Sequence, residues 1–227
     1  MEDALILGID DAGRGPVIGP MVLAGCLITE ETEREFRKLG VRDSKQLTPK
    51  RRGYLEKLIK EKARAFALQV TNPSEIDGKN HDGTNLNDIE ALMAAAIINE
   101  LNTASHGEHK IKVVIDCPSP NRMKWRDGVL VKIDNLSNLE IACEHKADRN
   151  HIAVSAASIL AKEERERQMR SLKEKYGDEM GSGYSSDPIT RKFLAKNVKK
   201  LHDKGIFRKT WKTWKKAHGD SGQRKLV

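Results

Sequence analysis

Residues 5–20, LILGIDDAGRGPVIGP, restrict what this chain can fold into more than any other stretch. Leu5, Ile6, Leu7 and Ile9 form a short apolar run with β-branched members and no helical cap, which predicts a buried strand. The run ends on two adjacent carboxylates, Asp10 and Asp11, and a glycine turn follows at once: Gly13, Arg14, Gly15, Pro16. Glycine admits positive φ and close approach of backbone to a ligand, while proline stiffens the exit. Open α/β sheets bind ligands just beyond the carboxyl ends of their strands. Two acids, an arginine and bare amides at such an end suit a metal and a phosphate ester. The same residues also suit an ordinary polar hairpin, and the pattern leaves both readings open.

The rest of the chain alternates strand and helix signals. Residues 21–28 read as a second strand, near enough to pair with the first. Residues 31–39 read as a helix stopped by Gly40, and Thr48 with Pro49 opens another with apolar Leu55, Leu58 and Ile59. Residues 65–70 predict a third strand and 71–87 a loop by composition. A helix follows with Ile89, Leu92, Met93, Ala96 and Ile97 on one stripe. Strands at 111–115 and 139–143 lead to Asp116 and Asp148, and a long helix runs from about residue 154 to 176. Closely connected first strands within such an alternation predict an α/β fold with a mixed sheet.

Asp10, Asp11, Asp116 and Asp148 thus all stand at or just past predicted strand ends. Four carboxylates brought together repel unless cations neutralise them. Hard oxygen ligands select Mg²⁺ or Mn²⁺, and two such ions can clamp an in-line phosphoryl displacement. Each aspartate alone reads equally well as a turn or cap residue.

Charge separates the chain into two parts. The 227 residues suit one core with an appendage. Residues 190–227 hold 13 Lys or Arg and two Asp, a net of +11, so the first 189 carry −3 of the total +8. The expected organisation is a main domain over 1–189 and a basic helical extension over 190–227. Trp211 and Trp214 lie among the cations in FRKTWKTWKK, a mixture suited to nucleic acid. No apolar run approaches membrane-spanning length, and the acidic start lacks the basic region of a signal peptide. A cytoplasmic protein without a membrane partner is expected. Cys26, Cys117 and Cys143 form no C-x-x-C pair and read as buried free thiols; the seven histidines form no zinc pattern.

These motifs together resemble ribonuclease HII, the type 2 ribonuclease H. The opening stretch is similar to that family's Asp-Glu-Ala-Gly-Arg-Gly, with Asp11 where the family has Glu. VVIDCPSPN around Asp116 resembles its third-acid strand, and EHKAD followed by VSAASILAK resembles its fourth-acid segment, especially in archaeal members. DSKQLT at 43–48, GSGYSSDP at 181–188 and TWKT at 210–213 match as well, whereas His151 and Ile152 replace a frequent Tyr-Pro.

The resemblance implies a ribonuclease H-like mixed sheet flanked by helices and makes the main domain, 1–189, the catalytic one. It implies an endonuclease that hydrolyses the RNA strand of RNA–DNA hybrids and cuts 5′ of a ribonucleotide embedded in duplex DNA, leaving 3′-hydroxyl and 5′-phosphate ends. Asp10, Asp11, Asp116 and Asp148 would be catalytic and hold the two ions. Gly13, Arg14 and Gly15 would read the 2′-hydroxyl, Tyr184 would pack on the next deoxyribose, and Ser44 and Lys45 would hold a phosphate. Ser155, Ser158 and Lys162 share a helical face and would support the site. The alternatives are a non-catalytic nucleic-acid-binding protein that keeps the fold, or another nuclease of that fold. A monomer is expected. The ending Gln223-Arg-Lys-Leu-Val faintly resembles a sliding-clamp-binding motif but lacks its aromatic pair.

Overall fold

The computed structural model describes residues 5–42, 47–104 and 109–223. In chain order the strands are β1 (Leu5–Ala12), β2 (Met21–Thr29), β3 (Ala65–Thr71), β4 (Ile111–Asp116) and β5 (Leu139–Glu144). The helices are α1 (Glu30–Leu39), α2 (Pro49–Lys62), α3 (Pro73–His81), α4 (Leu86–Ala104), α5 (Arg122–Leu130), α6 (Ala147–Asn150), α7 (Ile152–Tyr176), α8 (Pro188–Asn197) and α9 (Lys212–Gln223). Two compact units result: Met1–Ala12, Val22–Gln69 and Asn87–Glu163 make the first, and Gly13–Met21, Val70–Leu86 and Glu164–Val227 the second.

The first unit is built on the sheet, ordered β3-β2-β1-β4-β5. β1 runs antiparallel to β2 and parallel to β4, and β4 runs parallel to β5, so the sheet is mixed as expected. Leu7, Ile9, Val113, Val114 and Ile115 are fully buried because both faces of these central strands are covered. A Cβ on Gly8 would overlap the backbone of Ala153 and Val154, so this glycine lets α7 lie directly on β1. Ile97 of α4 reaches the sheet at Gly25. Thr29 and Gly40 cap α1, and Thr48 accepts from the Arg51 amide at the start of α2, as their chemistry predicts. All three cysteines are buried and free.

The second unit has its own apolar core, where Val17 and Ile18 meet Met169, Met180, Phe193 and Phe207. A single bridge pairs Ile18 with Phe207. Residues from 190 onward are therefore grouped with 13–21, 70–86 and 164–189 rather than set apart. Phe193, Leu194, Val198 and Leu201, expected as a packed face, are all buried there.

Two local expectations need correction, and one helix was not anticipated. The segment 71–87 contains helix α3: Pro73 occupies its first turn, and the Asn72 amide donates to Glu75 Oε2 at 2.7 Å. Burial of Ile76 and Asp77 outweighs the loop-like composition. In α4, Leu92 and Ala96 are exposed, and the buried stripe instead runs through Ile89, Met93, Ile97 and Leu101. Helix α5, capped by Asn121 and anchored by buried Trp125, carried too short an apolar pattern to be foreseen. Among the described residues, no helix is long and apolar enough to cross a membrane.

Candidate active site

In the first unit, parallel pairing aligns Ile9 with Ile115, which brings Asp10 and Asp116 to the same end of neighbouring strands. Asp116 is in turn paired with Glu144 at the end of β5. One edge therefore collects acids from three adjacent strands, the third of which the sequence pattern did not single out. Glu144 is engaged by His151, whose Nε2 lies 2.8 Å from its Oε2.

Asp10 is buried, and its Oδ1 accepts from the Asp11 amide at 2.8 Å. Burial pushes its carboxyl well above the usual carboxylate range, and the charges of Asp11 and Asp116 push the same way. A hydrogen bond from Ser158 on α7 opposes them. Lys162 Nζ, one turn further along, donates to Ser158 Oγ at 3.2 Å. The expected support role of Ser158 and Lys162 thus has a concrete form: a lysine, a serine and Asp10 in sequence.

Asp148 follows a strained turn. Lys146 has φ of 59°, the only positive φ of a non-glycine among the described residues. Such conformations persist where surrounding contacts over-determine them. Here Asp116 Oδ1 accepts from the Ala147 amide at 3.0 Å, fixing the start of α6 to the end of β4. Asp148 sits in the first turn of α6, 2% exposed. Ser155 Oγ closes the segment by donating to Asp148 O at 2.6 Å.

Asp11 is half-buried and belongs to the regular β1–β2 register, opposite Leu23, whereas Asp10 is opposite Ala24. The two carboxylates are adjacent along β1, and the charge of Asp11 is close enough to raise the Asp10 carboxyl. Among the described residues, no three Asp, Glu, His or Cys side chains stand as a ready-made cage. The donor chemistry nevertheless fits a hard divalent ion, because the acids are all oxygen donors and the buried Asp10 is destabilised by its acidic neighbours.

The second unit holds the glycine turn and Tyr184 together. Gly13 is buried at φ of 85°, and a Cβ there would stand 2.5 Å from Arg165 Cδ and Nε. Gly15 is exposed, and its Cβ position lies 3.8 Å from Tyr184 Cε1. The guanidinium of buried Arg165 is 5.0 Å from the centre of the Tyr184 ring and donates to Ser182 O at 3.0 Å. Arg165 thus braces both the turn and the tyrosine loop.

Asp187 fixes the other end of that loop. It accepts from Ser182 N at 2.7 Å, Ser182 Oγ at 2.9 Å and Ile189 N at 2.9 Å, while Thr190 Oγ1 donates to it at 3.1 Å. These bonds, led by the Ser182 amide, hold its carboxyl down at about 2. Ser44 and Lys45 lie outside the described residues. Arg165 and the buried Arg208 went unnoticed in the sequence, because nothing in their neighbourhoods distinguishes them from surface cations.

Comparison with known proteins gives one consistent answer. The model of the family described as Ribonuclease HII matches residues 7–214. A Ribonuclease HII of Methanocaldococcus jannaschii is 43% identical, covering 98% of this chain and 99% of its own. The ribonuclease H2 structure from Pyrococcus horikoshii superposes with a TM-score of 0.83 at 32% identity, covering 98% of this chain and 100% of that one. A PCNA:RNase HII complex from Archaeoglobus fulgidus gives 0.79 at 36% identity, over 92% of this chain and 95% of that one. With its mixed sheet, acidic strand ends and glycine turn in the family's order, this chain belongs to the ribonuclease HII family.

Proposed function

We propose that the chain hydrolyses the RNA strand of RNA–DNA hybrids and cuts 5′ of ribonucleotides embedded in duplex DNA, with two divalent ions held by Asp10, Asp11, Asp116 and Asp148. Family membership carries the coarser part: the chain is a type 2 ribonuclease H, an endoribonuclease, and the non-catalytic reading falls. The observation that supports the rest is that strand register brings Asp10 and Asp116 to one end of neighbouring parallel strands, with the Ala147 amide just before Asp148 bonded to Asp116.

When bound, Mg²⁺ or Mn²⁺ would supply a nucleophilic water and neutralise the leaving oxygen. The chain's own residues do the remainder. Ser158 and Lys162 orient Asp10, and the Ala147 amide orients Asp116. Gly13, Arg14 and Gly15 present backbone to the 2′-hydroxyl, the group that separates RNA from DNA. Tyr184, 38% exposed beside Gly15, offers a ring face to the next sugar. Exposed Lys212, Lys215 and Lys216 on α9 add sequence-independent attraction to phosphates. Residues 223–227 would contact a sliding clamp, a reading favoured by the relative solved with PCNA.

The test is cleavage of a duplex containing one ribonucleotide, with Mg²⁺, with Mn²⁺ and with chelator. A metal-dependent cut on the 5′ side, leaving 3′-hydroxyl and 5′-phosphate ends, is expected. A cut elsewhere, or equal cleavage in chelator, would overturn the proposal.

A further inference from the structure

We infer that residues 208–211, Arg-Lys-Thr-Trp, are a positioning clip for the Gly13–Gly15 turn and set how strictly the enzyme selects the phosphate it cuts. The inference rests on the reading of that turn as the part that meets the 2′-hydroxyl.

Arg208 is the largest fully buried side chain among the described residues. A buried cation is retained only when its donors are satisfied. Here the acceptors come from one short stretch of backbone. Arg208 Nη2 donates to Gly13 O at 2.6 Å and Gly19 O at 3.0 Å, Nη1 to Arg14 O at 2.7 Å, and Nε to Gly19 O at 3.1 Å. Trp211 Nε1 donates to Gly15 O at 3.2 Å, and the Arg208 guanidinium lies 5.0 Å from the Trp211 ring centre. The carbonyls of all three turn residues are therefore gripped by two side chains.

The clip is itself anchored. Buried Asp77 on α3 accepts from Lys209 N at 2.6 Å, Thr210 N at 3.0 Å and Thr210 Oγ1 at 2.6 Å. The Arg208 amide donates to Val17 O at 2.9 Å, just past the turn.

Gripping the carbonyls aims the amides. In a trans peptide, C=O and the following N–H point in opposite directions, and no described peptide is cis. Holding Gly13 O and Arg14 O inward therefore directs the Arg14 and Gly15 N–H groups away from Arg208. Those are the donors a sugar oxygen would meet. Arginine suits the task because its planar fork offers five donors in fixed directions, whereas lysine offers one compact ammonium.

Arg208 and Trp211 act through the turn, so their removal should change recognition beyond any loss of folding. The experiment compares wild type with Arg208→Lys and Trp211→Phe, the latter keeping the ring and deleting only the indole donor. Substrates are a duplex with one ribonucleotide and a duplex with four consecutive ribonucleotides, whose cut positions are mapped. Thermal unfolding of each protein fixes a temperature at which all are folded.

At that temperature, Trp211→Phe should lose about tenfold in kcat/KM on the single ribonucleotide, the scale of one hydrogen bond to a positioned group. Arg208→Lys should lose more. Both should spread the cuts over several phosphates of the four-ribonucleotide substrate. Activity loss matching only the unfolded fraction, with an unchanged cut map, would overturn the clip. Should Arg208→Lys not fold, Trp211→Phe decides alone. Failure of wild type to cut 5′ of the ribonucleotide would overturn the reading of the turn itself and the clip with it; wild-type cutting with unaltered variants overturns the clip alone.

Discussion

Gly13 and Gly15 flank one arginine, yet alanine at each should fail in opposite ways. At Gly13 the backbone has φ of 85°, and a methyl would stand 2.5 Å from Arg165 Cδ and 2.7 Å from Pro20 O. The left-handed conformation costs a non-glycine residue roughly 1–2 kcal/mol. Overpacking against neighbours that include backbone adds roughly 1–3 kcal/mol. Gly13→Ala should therefore lose roughly 2–5 kcal/mol of stability. At Gly15 the added methyl meets only Tyr184 Cε1 at an ordinary 3.8 Å. Gly15→Ala should stay within about 0.5 kcal/mol of wild type. Its methyl, however, would fill the exposed ground between turn and tyrosine where the proposed reading puts the sugar. A displacement of about 1 Å in a reacting group costs about a hundredfold. We therefore expect kcat/KM for Gly15→Ala to fall roughly 10–100-fold on a single-ribonucleotide duplex. Urea unfolding and initial-rate cleavage measure the two effects separately. Wild-type cleavage by Gly15→Ala would refute the placement of substrate on this face. Unchanged stability of Gly13→Ala would refute the account of the turn.

Four further outcomes follow from the same structure. Asp116→Asn should abolish metal-dependent cleavage while hybrid binding, read by fluorescence anisotropy, survives, because it keeps the acceptor for the Ala147 amide and loses only the charge. Replacing Lys212, Lys215 and Lys216 with Gln should weaken hybrid binding and flatten the slope of log K against log salt by at most about 2.7, at about 0.9 per phosphate contact. Asp187 has a depressed folded-state pKa, so its stabilisation is present above the unfolded value of about 3.9 and is lost as pH falls toward about 2; the stability gap between wild type and Asp187→Ala should close across that window in acid unfolding. Asp11→Glu should raise Mg²⁺-supported cleavage more than Mn²⁺-supported cleavage in a metal titration, because Mg²⁺ is the stricter about ligand placement.

The strand ends were legible because each marks a change that one chain segment carries by itself: an apolar run, a carboxylate, a breaker. Asp10, Asp116 and Asp148 were visible on that ground, and so were the helix stop at Gly40 and the cap at Thr48. What stayed hidden depends on partners distant in sequence. Arg208 meets Gly13 and Arg14 across almost the whole chain, and in FRKTWKTWKK it is one cation among several. Asp77 lay in a segment whose Asn, Asp and Gly content argues for a loop, and its acceptors serve Lys209 and Thr210. Glu144 joins the acidic edge only through the β4–β5 register, which the sequence does not number.

The tail shows why net charge and binding charge differ. Thirteen cations after residue 189 suggest a polyanion arm, but Arg208 spends its charge inside the protein. Neutral carbonyls are the fitting partners for it there. Carbonyl dipoles satisfy its donors from several directions. The buried arginine therefore holds the turn, while exposed Lys212, Lys215 and Lys216 face solvent. Deleting the tail to probe nucleic-acid affinity would remove both effects at once, which is why exposed α9 lysines and buried Arg208 have to be varied separately.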